Sequence, residues 1–342
     1  MELTVPCDEA EAYYNYVPIY VMELMHGVSS IIAIITVCYT IKAYLPRTIF
    51  GRPFMEILIA LYIGVLIQSV CSIGTQLTLV IAHHLADVPC HAQISKKFCI
   101  FRVLNVSMTS FLVVVHVTLT VNRLISTFTS NECKQAWTGK ACLAIGVLYS
   151  AFVPLAAFWG EQFQGTTMYC LGVTSSNTAV HQANYDILLG LDVASVATEC
   201  ILLKYNRKSY DLRSTFHRKQ IIYAIEHFLP VTAVHAVCYF VQWGAYTYGF
   251  TIFPSMKAEE KAAAVGFMNL VPYYCALAPL ILLLQMRRGR SGRIKAMQRM
   301  VGPAERRDED HIRTLKSQWA GAMDKKEEAE ANRISQFMIV PA

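Results

Sequence analysis

The chain is built around apolar runs of about twenty residues or more, the length a helix rising ~1.5 Å per residue needs to cross ~30 Å of hydrocarbon. Seven such runs, at 18–44, 57–83, 99–128, 141–160, 185–205, 220–243 and 262–286, are joined by short polar loops. In a bilayer every backbone N–H and C=O must find an internal partner, which for isolated runs of this kind means helix. The predicted fold class is therefore all-α: a bundle of seven transmembrane helices over 18–286. Composition points the same way, since 54% of the 342 residues are hydrophobic and only 16% charged, where soluble domains carry roughly a quarter.

Lys and Arg set the sidedness. Lys42, Arg47 and Arg52 follow the first span, and Arg123, Lys134 and Lys140 close the third. Lys204, Arg207, Lys208, Arg213, Arg218 and Lys219 fill the loop after the fifth, and Arg287, Arg288, Arg290, Arg293, Lys295 and Arg299 follow the seventh. The opposite loops hold only Lys96, Lys97, Lys257 and Lys261, so the positive-inside rule predicts an outside N-terminus and an inside C-terminus. The net charge of +6 is thus a topological signal, the lipid bilayer is the first partner, and no nucleic-acid partner is expected. Residues 1–17, acidic through Glu2, Asp8, Glu9 and Glu11, lack the basic leader of a signal peptide and read as an extracellular segment, with the first span directing insertion. Residues 287–301 read as a basic juxtamembrane helix on the anionic inner leaflet, with a basic stop-transfer flank as the alternative. The mixed-charge stretch 302–342 reads as a solvated cytoplasmic tail.

Cys7, Cys90, Cys99 and Cys170 are the cysteines on the outer side or at an outer helix end, where disulfides form. A Cys99–Cys170 bond would pin the second outer loop over the bundle mouth, with Cys7–Cys90 as its companion. Four cysteines allow three pairings, spacing does not choose among them, and a free buried Cys99 is the remaining option. Matched short spans and internal repeats, the mark of secondary transporters, are missing. Pro154, Pro230, Pro272 and Pro279 stand inside spans, where they bend helices.

An ionisable residue in a span is a functional candidate by default. Arg123, near the inner end of the third span, faces two acids at comparable depth, Glu226 in the sixth and Glu199 in the fifth. The expectation is an Arg123–Glu226 pair that holds the third and sixth spans together and opens an inner cavity when broken. Anchoring of Arg123 at the headgroups is the alternative. Toward the outer half, Asn105, Thr109, Asp192, His235 and Asn269 could converge, with Met108, Tyr239, Trp243 and Tyr273 as soft or aromatic walls. Apolar walls with a few polar groups describe a site for a small, mostly apolar ligand, although each residue could instead make an interhelical hydrogen bond. Metal hydrolysis is disfavoured: His227 and His235 lie eight residues apart, about 12 Å along a helix, His26, His116 and Asp192 fall on different spans, and no paired-His motif occurs. No enzyme activity, metal or other cofactor is expected. A retinal Schiff base would need a lysine in the last span beyond its leading turn, and none is there. Asn105-Val106-Ser107 matches a glycosylation sequon but lies inside a span.

The layout over about 18–290 resembles the nematode serpentine chemoreceptors, in the superfamily of classes alpha, beta, alpha-beta and epsilon. Cys90 and Cys99 before the third span, Asn122-Arg123 at its end, and the stretch STFHRKQIIYAIEHFLPV at 214–231 carry the resemblance, with a lean to class alpha-beta. Two departures stand out. The family often has Glu-Arg where this chain has Asn122-Arg123, and Asn269-Leu-Val-Pro272-Tyr273 is not the rhodopsin-like Asn-Pro-x-x-Tyr switch. The resemblance implies a multi-pass plasma membrane receptor of sensory cilia that binds a small extracellular molecule and signals to a heterotrimeric G protein. Arg123, Glu199, Glu226, Arg213, Arg218, Lys219 and the basic stretch after the last span would then form its inner face. The rival readings are a ligand-gated seven-span odorant channel, whose N-terminus would be inside, and a membrane protein without a ligand.

Overall fold

Each apolar run becomes a helix, and the helices outrun the hydrocarbon-length stretches that seed them. The computed structural model describes residues 6–44, 51–129, 131–159, 165–167, 178–208, 215–252 and 255–301. A short helix, α1 (Cys7–Tyr14), precedes α2 (Val17–Ala43) and α3 (Arg52–Leu85). Pro18 and Pro53 sit in the first turns of α2 and α3, where a missing N–H costs nothing and the fixed φ starts the helix. Next come α4 (Ile100–Phe128), α5 (Glu132–Ala157), α6 (Thr178–Lys208) and α7 (Thr215–Ile252), the last with Pro230 inside it. A two-residue antiparallel pairing, β1 (Ile94–Ser95) with β2 (Thr166–Thr167), sets Ile94 opposite Thr167.

The seventh run corrects one expectation, because 262–286 is two helices rather than one: α8 (Ala258–Phe267) and α9 (Val271–Val301). Pro272 supplies the cause. It has no N–H to give residue 268, and its ring would clash with that carbonyl in a continuous helix. The chain turns through Met268, Asn269 and Leu270, with the Asn269 N–H bonded to the Gly266 carbonyl at 3.1 Å. Residues Met1–Met286 make up one compact unit and Arg287–Ala342 a second, of which the described part is helical over 287–301.

Six helical segments among the described residues are long and apolar enough to cross a membrane. α6 equals them in length but is more polar, and the polar groups of its middle, Asp192, Ser195 and Glu199, are buried. Between helices in lipid there is no hydrophobic drive, so association rests on close packing and polar contacts. The inward stripes follow a 4-3-4-3 spacing, the left-handed coiled-coil period. Buried residues recur at 105, 109, 112, 116, 119, 123 and 126 in α4, at 188, 192, 195, 199, 202 and 206 in α6, and at 221, 225, 228, 232, 235, 239 and 242 in α7. α4 is the central helix, packed on α3, α5, α6 and α7. Small residues permit the approach: a Cβ on Gly146 of α5 would lie 2.6 Å from Val114 of α4, and one on Gly266 of α8 would lie 2.8 Å from the Met22 sulfur of α2.

α1 is stapled down by the Cys7–Cys90 disulfide, with Cα atoms 4.9 Å apart. Ala10 and Tyr13 of α1 bury against Ile19 and Met22 of α2 and Ala262 and Ala263 of α8. Burial, reinforced by Glu9 and Glu259, pushes the Tyr13 phenol up to about 12, so it stays neutral. Cys99 is also disulfide-bonded. Cys170, the partner anticipated for it, lies outside the described residues.

Candidate functional site

Two connected groups of buried polar side chains run along the bundle interior. The deeper begins at Arg123, 2% exposed, whose guanidinium forms an ion pair with Glu199 of α6, itself fully buried. Phe54 of α3 and Phe228 of α7 place their rings 5.4 and 5.1 Å from the guanidinium carbon. These distances suit cation–π contact with a desolvated cation. Thr120, one turn before Arg123, has its single hydroxyl proton within reach of both Glu199 and the backbone carbonyl of His116, each at 3.1 Å.

That carbonyl leads to the second group. His116 Nε2 is 2.6 Å from the Tyr274 hydroxyl of α9, and its Nδ1 lies 3.4 Å from Thr232 Oγ1 of α7. The His116 ring centre is 4.7 Å from that of His235, whose Nδ1 is 2.5 Å from Asp192 Oδ2 of α6. Tyr239 stacks on His235 at 5.9 Å, and Tyr274 meets the same ring edge-on at 4.5 Å. All six side chains are at most 2% exposed, and neither Asp192 Oδ1 nor the Tyr239 hydroxyl has a hydrogen-bond partner. Four helices thus contribute to one buried centre with unused hydrogen-bonding capacity.

The Arg123–Glu226 pair anticipated from sequence is not formed. Glu226 is one position off the inward stripe of α7 and pairs instead with Arg207 of α6 at 2.7 Å, both half exposed. Glu199 takes its place because it falls on the inward stripe of α6, two turns from Asp192. α7 touches Arg123 through an aromatic face, not a carboxylate.

The anticipated outer residues divide. Asp192, His235 and Tyr239 come together as described. Asn105 faces α3, its Nδ2 3.3 Å from Thr75 Oγ1, while Thr109 is buried and donates to the Asn105 carbonyl and Met108 is half-buried. Asn269, in the break between α8 and α9, meets α2, where the His26 ring bonds its backbone. Arg218 is half-buried and Lys219 exposed, and Arg213 lies outside the described residues. Trp243 donates to Asp186 at 2.6 Å, and Tyr273 meets His26 at 5.3 Å. The residues not anticipated for the centre are His116, Thr120, Thr232, Tyr274 and the two phenylalanines. His116 carried a signal: it interrupts the apolar run VVVHVTLT on the same 4-3 stripe as Arg123.

No set of three or more His, Cys, Asp or Glu able to hold a metal ion occurs among the described residues. A multi-pass helical bundle whose central helix threads buried ionisable groups through the interior defines a class: integral membrane proteins with a polar axis inside an apolar shell. Comparison with known families narrows this. Residues 11–319 match the model described as Serpentine type 7TM GPCR chemoreceptor Sra, and the chain belongs to that family of chemosensory receptors, which is not a family of enzymes. The match lies within the superfamily that the sequence resembles, and α6 is accordingly the span that brings the six to seven. No curated protein matches the chain.

Proposed function

We propose that this receptor binds a small, mostly apolar extracellular ligand within the bundle and passes the event to a heterotrimeric G protein at its opposite end. The observation that supports this reading best is the continuous line of buried contacts from Asp192 and His235, across the His235–His116 ring contact and Thr120, to Glu199 and Arg123. It joins a centre with unpartnered polar atoms to an ion pair about 10 Å nearer the other end of α4, counting ~1.5 Å per residue. Asp192, His235 and Tyr239 form the polar floor for the ligand, with Asn105, Met108, Thr109 and Asn269 nearer the α1 end. A ligand that prefers the state with α6 and α7 displaced from α4 shifts the population toward it, by its affinity difference and no more. Arg123, Glu199, Glu226, Arg213, Arg218 and Lys219 then form the G-protein face on the inside of the plasma membrane, with the N-terminus outside. Placement in sensory cilia is part of the same proposal.

The test has two stages. Epitope tags at the N-terminus and in the 204–219 loop, stained before and after permeabilisation, should report an outside terminus and an inside loop; the reverse sinks the proposal. A ligand found by screening with a G-protein readout should then lose potency at least tenfold on His235→Phe, with surface delivery intact. An unchanged response would move the site elsewhere.

A further inference from the structure

One buried acid takes no part in this thread. Glu23 lies on the inward stripe of α2, at 19, 23, 26, 30, 33, 37 and 40, and is 2% exposed, yet neither carboxylate oxygen has a hydrogen-bond partner. The ion pairs among the described residues involve Glu56, Asp192, Glu199 and Glu226, never Glu23. A carboxyl group removed from water with no donor in return works against folding. A donor supplied from outside the chain would remove that cost.

What surrounds Glu23 says which kind. One turn before it, the Tyr20 ring lies 5.0 Å from that of His83 in α3, and Tyr14 of α1 lies 5.9 Å from the same ring. One turn after it, the His26 ring lies 5.3 Å from that of Tyr273 at the start of α9. The carboxylate is thus bracketed along α2 by aromatic pairs. Both His83 ring nitrogens, His26 Nε2 and the Tyr273 hydroxyl also lack partners. Tyr20 donates to the Tyr14 carbonyl at 2.8 Å, which closes the group toward α1. A carboxylate with aromatic rings one turn away on either side complements an ammonium, which donates N–H to the oxygens while neighbouring rings accommodate its positive charge. Arg102, close enough for its charge to act on His26, opposes a second positive group.

We infer that Glu23, with Tyr20, His26, His83 and Tyr273, forms a second binding site, between α2, α3 and the α8–α9 break, for a protonated monoamine carrying an apolar or aromatic body. It shares no residue with the Asp192–His235 centre and does not depend on G-protein coupling.

The experiment uses the full-length receptor in lipid nanodiscs at neutral pH, with benzylamine and its neutral isostere benzyl alcohol as probes, and reads the thermal unfolding midpoint against probe concentration. Benzylamine should raise the midpoint saturably in the wild type and benzyl alcohol should not. Glu23→Gln should weaken the amine's apparent affinity by about 10- to 100-fold, the loss of one charge-assisted hydrogen bond, and remove the preference over the alcohol. Glu23→Asp, which keeps the charge but withdraws it by one methylene, should keep the preference with weaker affinity, and it decides the matter if the Gln variant does not fold. Equal shifts from both probes in the wild type, no amine shift in the wild type, an amine affinity unweakened in Glu23→Gln, or an unaltered affinity in Glu23→Asp overturns the inference. The readout needs no G protein, so failure of the signalling proposal leaves this result standing.

Discussion

Replacing Glu199 by Gln strands a guanidinium in the interior. Arg123 is 2% exposed and its ion-pair partner among the described residues is Glu199, so the substitution removes that anion from a buried cation. Removing one partner of a buried pair costs about 3–5 kcal/mol. Phe54 and Phe228 still cover the guanidinium faces, which places the expected loss near the lower bound, about 3 kcal/mol. Only the conformation that keeps α6 against α4 bears that loss. A signalling state with the two helices separated is spared it, and its population relative to the resting state rises by roughly 150-fold at about 1.4 kcal/mol per tenfold. Basal G-protein activation, normalised to surface receptor measured through an N-terminal tag, should therefore rise in Glu199→Gln. Arg123→Met with Glu199→Met removes both charges together, and surface abundance should recover relative to either single variant. A double-mutant cycle on thermal unfolding should return a coupling above about 2 kcal/mol. Coupling below about 0.5 kcal/mol, or normal surface levels with unchanged basal activity in Glu199→Gln, would refute the switch argument.

Other perturbations probe the frame around the thread. Cys7→Ser frees α1 by opening a link that spans 83 residues of sequence; a loss of about 2–5 kcal/mol is expected, read as a lowered unfolding midpoint, and reducing agent, which also opens the Cys99 bond, should lower the wild-type midpoint more than the variant's. Gly146→Ala puts a methyl 2.6 Å from Val114 across the α4–α5 contact; overpacking of about 1–3 kcal/mol should cut surface expression, and Val114→Ala in the same chain should restore it. Tyr274→Phe takes the hydroxyl from His116 Nε2; a stability loss of about 1–3 kcal/mol is expected for the buried group left unpaired, measurable by thermal unfolding in nanodiscs.

The spans were legible because the bilayer imposes a length that few other environments demand, and 57–83 or 99–128 could hardly be read otherwise. The break at Met268–Leu270 was half legible: Pro272 was visible as a bend, but whether a proline kinks a helix or splits it depends on what satisfies the freed carbonyls. Asp192, His235 and Tyr239 could be grouped by depth alone. Depth failed for Arg123, since Glu199 and Glu226 lie at similar levels and only helix rotation separates them. The information was nonetheless present. Counting back from His235 by 3 and 4 gives 232, 228, 225 and 221, which skips Glu226, while counting from Asp192 gives 195 and 199. Glu23 escaped notice for a different reason: an acid six residues from a helix start looks like an interfacial group until its neighbours are known.

The inward polarity of α6 reaches back to the making of the protein. Asp192 and Glu199 are both fully buried in the bundle, and an acid near the middle of a helix resists insertion by about 2.5–3.5 kcal/mol. Presented to the membrane by itself, α6 would be held back or slip across. Arg123 and His235 supply polar partners for these acids from the helix made earlier and the helix made next, so α6 becomes a stable span only once both neighbours are in place. The Arg123–Glu199 pair would then also serve as a checkpoint in biogenesis, and a variant lost at this point could fail in the ribosome's wake, before it ever meets a stimulus.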